Sequence, residues 1–406
     1  MSSIKPLRKL VSKARDLRDS HSERHRPTGF GFALSDSIEY LDAARWDQVT
    51  AGDSLFLSRR YLRVIEDARP ENLHPRYALI FRERAAVAGV VAQSVKISIT
   101  RARKESRHKT LSAPLERLEE RMLVCGNLLS WGMHGVAFAP NTDESAIWPA
   151  VAEAIYRLRR ADKLFGETDL VMVKDFTDED AAAASVLSRF SYRPLETDPN
   201  MVLEISPRWG SYDDYLGSLT SKYRKTAKQI DKDVAAAGCT VEEIKDPREI
   251  ERQAETLRAL YLQTHHNARL RLVTLPVTFL PTLAARLGEE VRWTVIRRGE
   301  QLLGFVNTVR DGETAVGYYI GFDRPANAEA PIYFRLLQAV VDHAISFGCR
   351  RLSLGRTALE PKARLGARPQ PMRVMVRHRI PMLNVLVRGL LHTVSHDEAP
   401  ERNPFK

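Results

Sequence analysis

The residues best placed to do chemistry lie between Tyr318 and Gly366. An apolar run closes on Tyr318, Tyr319, Gly321, Phe322 and Asp323. Pro331 and Tyr333 then open a helical stretch, proline being favoured at the first helical position. A second short run, Arg351 to Leu354, ends in Gly355-Arg356-Thr357, with Lys362 just beyond. Strand, loop, helix and strand make a crossover unit. Its helix N-terminus turns unpaired N–H groups toward the strand end, where an anion or a developing oxyanion can bind. Tyr318 and Tyr319 are adjacent, so one is expected on each face of the sheet. Asp323 fits a carboxylate base and a turn residue equally. Arg356 follows a glycine at the carboxyl end of a strand, a usual place for ligand contacts in α/β sheets.

A second group is cationic. Lys222, Arg224, Lys225, Lys228 and Lys232 recur at helical spacing and form one charged face. A solvated face is the plain explanation, yet like charges at that spacing repel, and an anion nearby accounts for them better. His265-His266 close a helix, where imidazolium suits the dipole. No Ser-His-Asp order, Walker loop, zinc spacing or paired carboxylates appear, so hydrolase and kinase chemistry and a bound metal are not expected.

The elements that must position these groups alternate along all 406 residues. In the first half the pattern gives helices at 38–46 and 58–68, strands at 77–82 and 86–94, one or two strands in 123–138, and a helix at 148–164. A strand at 170–173, a helix at 178–190 and a strand at 201–205 follow. The order then restarts, with helices at 212–219, 221–237, 247–266 and 276–288. Strands at 239–244, 293–298, 302–310 and 315–321, a helix at 331–347, and strands at 351–354 and 374–379 complete it. Both halves run helices, β-meander, strand–helix–strand, with a boundary near Pro207.

Charge narrows the partner class. The net charge is +11, and the surplus is clustered: residues 1–28 hold eight Lys/Arg against three acids, 96–109 six against one, and 350–379 nine against one. An anionic partner follows, whether CoA, tRNA, lipid or another nucleic acid. Within 1–28, Ile4, Leu7, Leu10, Val11, Ala14 and Leu17 share a helical stripe that could rest on an anionic membrane. Three scattered cysteines exclude a disulfide framework and argue for a reducing, cytoplasmic setting. No apolar run approaches the roughly 20 residues of a bilayer span. The apolar stretch 380–394 is expected to pack on the domain.

The second half resembles the GNAT N-acyltransferase fold, and more closely the acetyltransferase-type domain of Fem-like enzymes, which add amino acids to peptidoglycan bridges. Ser221-Lys222-Tyr223-Arg224-Lys225-Thr226 looks like the family's basic helix. Tyr319-Ile320-Gly321-Phe322-Asp323 with Pro331-Ile332-Tyr333 looks like its central strand and following helix. Leu354-Gly355-Arg356-Thr357 with Lys362 and Gly366 looks like its closing element. The resemblance implies an α/β (α+β) protein of two tandem GNAT-like domains, each a mixed, mostly antiparallel sheet flanked by helices. Their expected bounds are 29–206 and 207–395, between a basic arm (1–28) and a polar tail (396–406).

It further implies an N-acyltransferase moving an acyl group other than aminoacyl from acyl-CoA as co-substrate to a primary amine, with no tightly bound cofactor. In that scheme Tyr319 protonates the leaving group, and Lys362 stabilises charge at the reacting carbonyl or holds an anionic donor. Asp323 is the candidate base. Gly321, Phe322, Tyr333, Arg356, Thr357, Lys222, Arg224 and Lys225 bind substrate. The loop Asp323–Ala328 lacks the glycines with which ordinary GNAT enzymes cradle the CoA pyrophosphate. Two alternatives stand beside this reading: an aminoacyltransferase using charged tRNA, and a non-catalytic binding protein with basic faces.

Overall fold

In the computed structural model, which describes residues 26–98, 119–266, 272–380 and 402–406, each half of the sequence builds antiparallel strands followed by one parallel crossover. Most of the basic arm, most of the stretch 96–109 and the apolar stretch after residue 380 lie outside the described residues. In the first half, β1 (Gly31–Ser35), α1 (Ala43–Val49) and α2 (Arg59–Asp67) lead into β2 (Leu73–Arg82), β3 (Ala85–Ser98), β4 (Glu119–Cys125) and β5 (Val136–Phe138). Helix α3 (Glu144–Ala161), β6 (Leu170–Phe176), α4 (Asp178–Ala183) and β7 (Arg193–Glu204) complete it. The second half begins with α5 (Tyr212–Ser218), α6 (Ser221–Ala236), β8 (Thr240–Ile244), α7 (Pro247–Arg252), α8 (Ala254–His265) and α9 (Phe279–Leu287). Then come β9 (Val291–Arg298), β10 (Gln301–Asp311), β11 (Thr314–Phe322), α10 (Arg324–Glu329), α11 (Ile332–Ser346), β12 (Arg351–Ser353), α12 (Leu359–Arg364) and β13 (Arg368–His378).

Local sequence explains most of these bounds. Asp42, Ser58 and Asp143 cap their helices with side-chain acceptors, and Thr177/Asp180 and Ser211/Asp214 form reciprocal capping boxes. The helix expected over 247–266 is broken at Gln253, whose ψ of 11° ends α7 before α8 begins. The helix expected over 178–190 is α-helical only through Ala183.

The sheets of the two halves join edge to edge into one sheet of order β1-β2-β3-β4-β6-β13-β7-β12-β11-β10-β9-β8, with β5 on β3. Neighbours are antiparallel except β4/β6 and β11/β12, the two crossovers covered by α3 and α11. The last strand of each half is exchanged. β7 pairs with β12 of the second half, β13 pairs with β6 of the first, and the two travellers pair with each other. One apolar cluster also spans the junction, carrying Trp46, Phe56 and Tyr61 from the first half and Leu257, Phe279 and Phe305 from the second. The mixed α/β architecture agrees with the expected tandem arrangement.

A candidate acyl-transfer site between the halves

The site starts from a parting of strands. β11 and β12 pair only at Thr314–Val316 with Arg351–Ser353. Beyond that point β11 continues along β10 to Phe322, while Leu354 and Gly355 turn to β7 by hydrogen bonds with Met201. The gap opens into a cavity of about 830 Å³ lined by Gly317–Ile320, Leu354–Ala358 and Lys362. From the first half the loop Leu128–Trp131 forms the facing wall, and α8 contributes Tyr261, Thr264 and His265.

Of the residues singled out from sequence, Tyr319, Phe322, Tyr333, Arg356, Thr357 and Lys362 all line this cavity. Gly321 does not. A Cβ there would lie 2.5 Å from the Phe305 ring and 2.6–2.7 Å from the backbone of Tyr261 and Leu260, so the glycine admits α8 against the strand. Asp323 caps α10, accepting from the Ala326 N–H at 2.8 Å, which is the turn role rather than a base in the cavity. Lys222 and Lys225 are exposed on α6 and Arg224 donates to the Leu219 carbonyl, so the basic face lies away from the cavity.

The two tyrosines do not straddle the sheet. The register of β10 and β11 shifts between Val306/Ile320 and Thr308/Gly317, leaving Tyr318 and Tyr319 opposite Asn307 alone. This bulge suspends the alternation and brings both rings together, centroids 4.5 Å apart, into the cavity wall. The buried Asn307 side chain accepts the Tyr319 N–H at 2.8 Å. Tyr319 donates its hydroxyl to the Leu129 carbonyl at 2.9 Å, and the Tyr318 hydroxyl meets that of Tyr61 at 2.5 Å. Burial holds both phenols well above their ordinary pKa, so both stay protonated.

Arg356 reaches across the junction to Asp175, a fully buried carboxylate at the end of β6. Lys174 donates to Asp175 at 2.5 Å and to the carbonyls of Asn127 and Ser130, using all three ammonium protons. Asp175 also accepts from the Gly132 N–H at 3.1 Å. Burial would raise the Asp175 carboxyl, but Lys174 and Arg356 outweigh it and hold it below its usual value. Asp175 has φ +68°, a left-handed conformation that costs a non-glycine residue energy and suits a functional position. Trp131 completes the wall, donating to Ser353 Oγ at 2.7 Å and lying over Gly355, whose φ is +78°.

Lys362 differs from every other charged group here. It is 4% exposed and borders the cavity, and its side chain makes no hydrogen bond or ion pair among the described residues. Burial pushes its pKa down to about 7. It is therefore a base near neutrality and not a standing cation. His134, hydrogen-bonded to Ser130, is pushed by burial, and then by Lys174, to about 3 and is a weak base. No aspartate or glutamate lines the cavity among the described residues. Asn307, Lys174 and Asp175 had no motif to announce them. Their one signal is polarity inside or directly after an apolar run.

Residues 402–406 hold α12 from outside. Arg402 pairs with Glu360 at 3.0 Å, and Phe405 packs on Gly366, Trp209 and Tyr215.

Residues 221–363, within the second half, match the model of the acetyltransferase (GNAT) domain. A crystal structure of FemX shares the fold over 88% of this chain and 99% of that one, at TM-score 0.50 and 10% sequence identity. A tandem GNAT protein from the clavulanic acid biosynthesis pathway aligns over 86% of this chain and 98% of its own, at TM-score 0.49 and 10% identity. No curated protein matches the sequence. Among the described residues no helix is long and apolar enough to cross a membrane, and no cluster could hold a metal ion.

Proposed function

We propose that the protein is an N-acyltransferase which moves an acyl group from an activated donor to a primary amine in the cavity between β11 and Gly355. The observation that carries this reading is Lys362, a buried amine whose side chain has no partner among the described residues, on the wall of the cavity that opens where β11 and β12 part. The amine nitrogen of the acceptor attacks the donor carbonyl, and Lys362 takes the proton that the nitrogen sheds. The C–S bond of a thioester, or the C–O bond of an ester, then breaks as the lysinium returns a proton to the leaving group. While charged, Lys362 also stabilises the tetrahedral oxyanion, so one side chain serves in turn as base and as electrostatic partner. Arg356, anchored by Asp175, and Thr357 flank the reacting end.

The donor we favour is an acyl-CoA. One observation supports the aminoacyl ester of a tRNA as the second reading. At the start of α11, the Tyr333 N–H is taken by the Asn327 side chain at 2.8 Å and the Ile332 N–H by the Ala330 carbonyl at 2.7 Å. Two of the donors that would grip a pyrophosphate are thus already spent. The test is thiol release from CoA thioesters of graded chain length with a panel of amines, beside transfer from charged tRNA. Amine-dependent thiol release that disappears in Lys362→Ala supports the first donor. Ribonuclease-sensitive transfer without thiol release supports the second. Full activity of Lys362→Ala with either donor removes the lysine from the mechanism.

A further inference from the structure

We propose that Lys362 is itself an acyl acceptor: with an activated acyl group in the cavity and no amine beside it, the lysine is acylated, and the product blocks the site. The geometry of the described lysines separates it from the rest. Lys174 is as buried but commits its three protons to oxygens, so its nitrogen has no lone pair to offer. Lys222, Lys225 and Lys228 are exposed on α6 and do not line the cavity. Lys406 donates to the Gly217 carbonyl. Lys362 alone combines burial, a free nitrogen and a place on the cavity wall among these. Its pKa near 7 leaves much of it as the free amine at neutrality, with burial as the cause.

The groups sharing the cavity do not reverse this. Tyr318, Tyr319 and Tyr333 are kept protonated by burial, and Arg356 is paired with Asp175 through one terminal nitrogen. Lys174 is held in the same ion pair, His265 bonds Thr274, and Arg324 is exposed. In the step, the Lys362 nitrogen bonds to the acyl carbon and the C–S bond breaks. The proton lost from nitrogen goes to the departing thiolate, and no further reactant is needed. The product is a neutral amide, which no longer has a charge to desolvate. The cavity of about 830 Å³ has room for a short acyl chain.

The thioester arm of this inference rests on the proposed function, and the nucleophilicity of Lys362 does not. The full chain is incubated at pH 7.5 without any amine, once with acetyl-CoA and once with p-nitrophenyl acetate, which needs no CoA contacts. Peptide mass mapping then locates the acetyl group. The expected result is acetylation of Lys362 at least tenfold above any other lysine, at a rate that rises with pH around 7, with the thermal midpoint rising as the label accumulates. Labelling by the ester and not by acetyl-CoA supports the reactive lysine and counts against CoA as donor. Amine-dependent turnover of acetyl-CoA with no label on Lys362 in either arm leaves the enzyme reading intact and overturns the inference. Acetyl groups spread over Lys222, Lys225 and Lys228 with Lys362 unmodified overturn it as well.

Discussion

Replacing Lys362 by methionine should make the protein more stable at neutral pH, and the gain should vanish in alkali. The lysine's pKa falls from 10.5 to about 7 in the folded chain. A gap of roughly 3.5 pH units, at ~1.36 kcal/mol each, has a limit of about 4–5 kcal/mol. Below pH 7 both states carry the ammonium, and the native state bears the full cost of desolvating it. Between pH 7 and 10.5 the unfolded chain binds more protons than the native one, so the lysine's contribution improves steadily as pH rises. Above 10.5 both states are neutral and the cost is gone. Methionine has a similar length and no charge, so it removes the cost at every pH. Urea unfolding of both proteins at several pH values reads the difference directly. The variant is expected to lead by up to about 4 kcal/mol at pH 7 and by less than about 1 kcal/mol at pH 10.5. Curves that stay parallel from pH 7 to 10.5 would show that Lys362 is already ionised and solvated in the native state. Its roles as base and as nucleophile would then both fail.

Two other substitutions probe the frame around it. Gly321→Ala forces a Cβ onto the backbone of α8 and should lower stability by about 1–3 kcal/mol or more, seen as a drop in thermal midpoint; an unchanged midpoint would mean that α8 does not sit on the strand. Asp175→Asn leaves Lys174 and Arg356 uncompensated and should cost about 3–5 kcal/mol, whereas Lys174→Met/Asp175→Asn should cost less, because the buried charge goes with its partner. Equal losses in the single and double variants, measured by denaturant unfolding, would contradict the ion-pair assignment.

How much of this was legible in the sequence depends on the range of the interaction involved. The turn at Gly355 and the groups behind it, Arg356, Thr357 and Lys362, could be found because a strand end, a glycine and a following helix are all local patterns. Gly321 was expected to bind substrate, but what approaches it is α8, and a sequence cannot say whether a gap receives a ligand or a helix. The expectation that Tyr318 and Tyr319 face opposite ways followed from simple alternation. It failed at the bulge opposite Asn307, since a bulge is a property of two strands and neither shows it alone. The Lys174–Asp175 pair begins where the apolar run 170–173 stops, and its partner Arg356 stands 181 positions away along the chain. The cationic face of α6 had the right composition for an anion site, yet the fold turns it toward water. Burial of Lys362 was not readable from its polar surroundings in sequence, although it decides that residue's chemistry.

The exchange of β7 and β13 bears on how this chain can be built and divided. Synthesis of residues 26–206 alone would release β6 with one edge bare and β7 with nothing to lie on, and such edges invite pairing with other molecules. The remainder, made separately, would carry the reverse defect. Both crossings close only after nearly the whole polypeptide is present, a late, long-range event of the kind that slows folding. Mixing two independently produced fragments should therefore restore an ordered molecule that neither fragment forms by itself. In evolutionary terms, a duplicated ancestor that traded its final strands would have lost the option of shedding either copy.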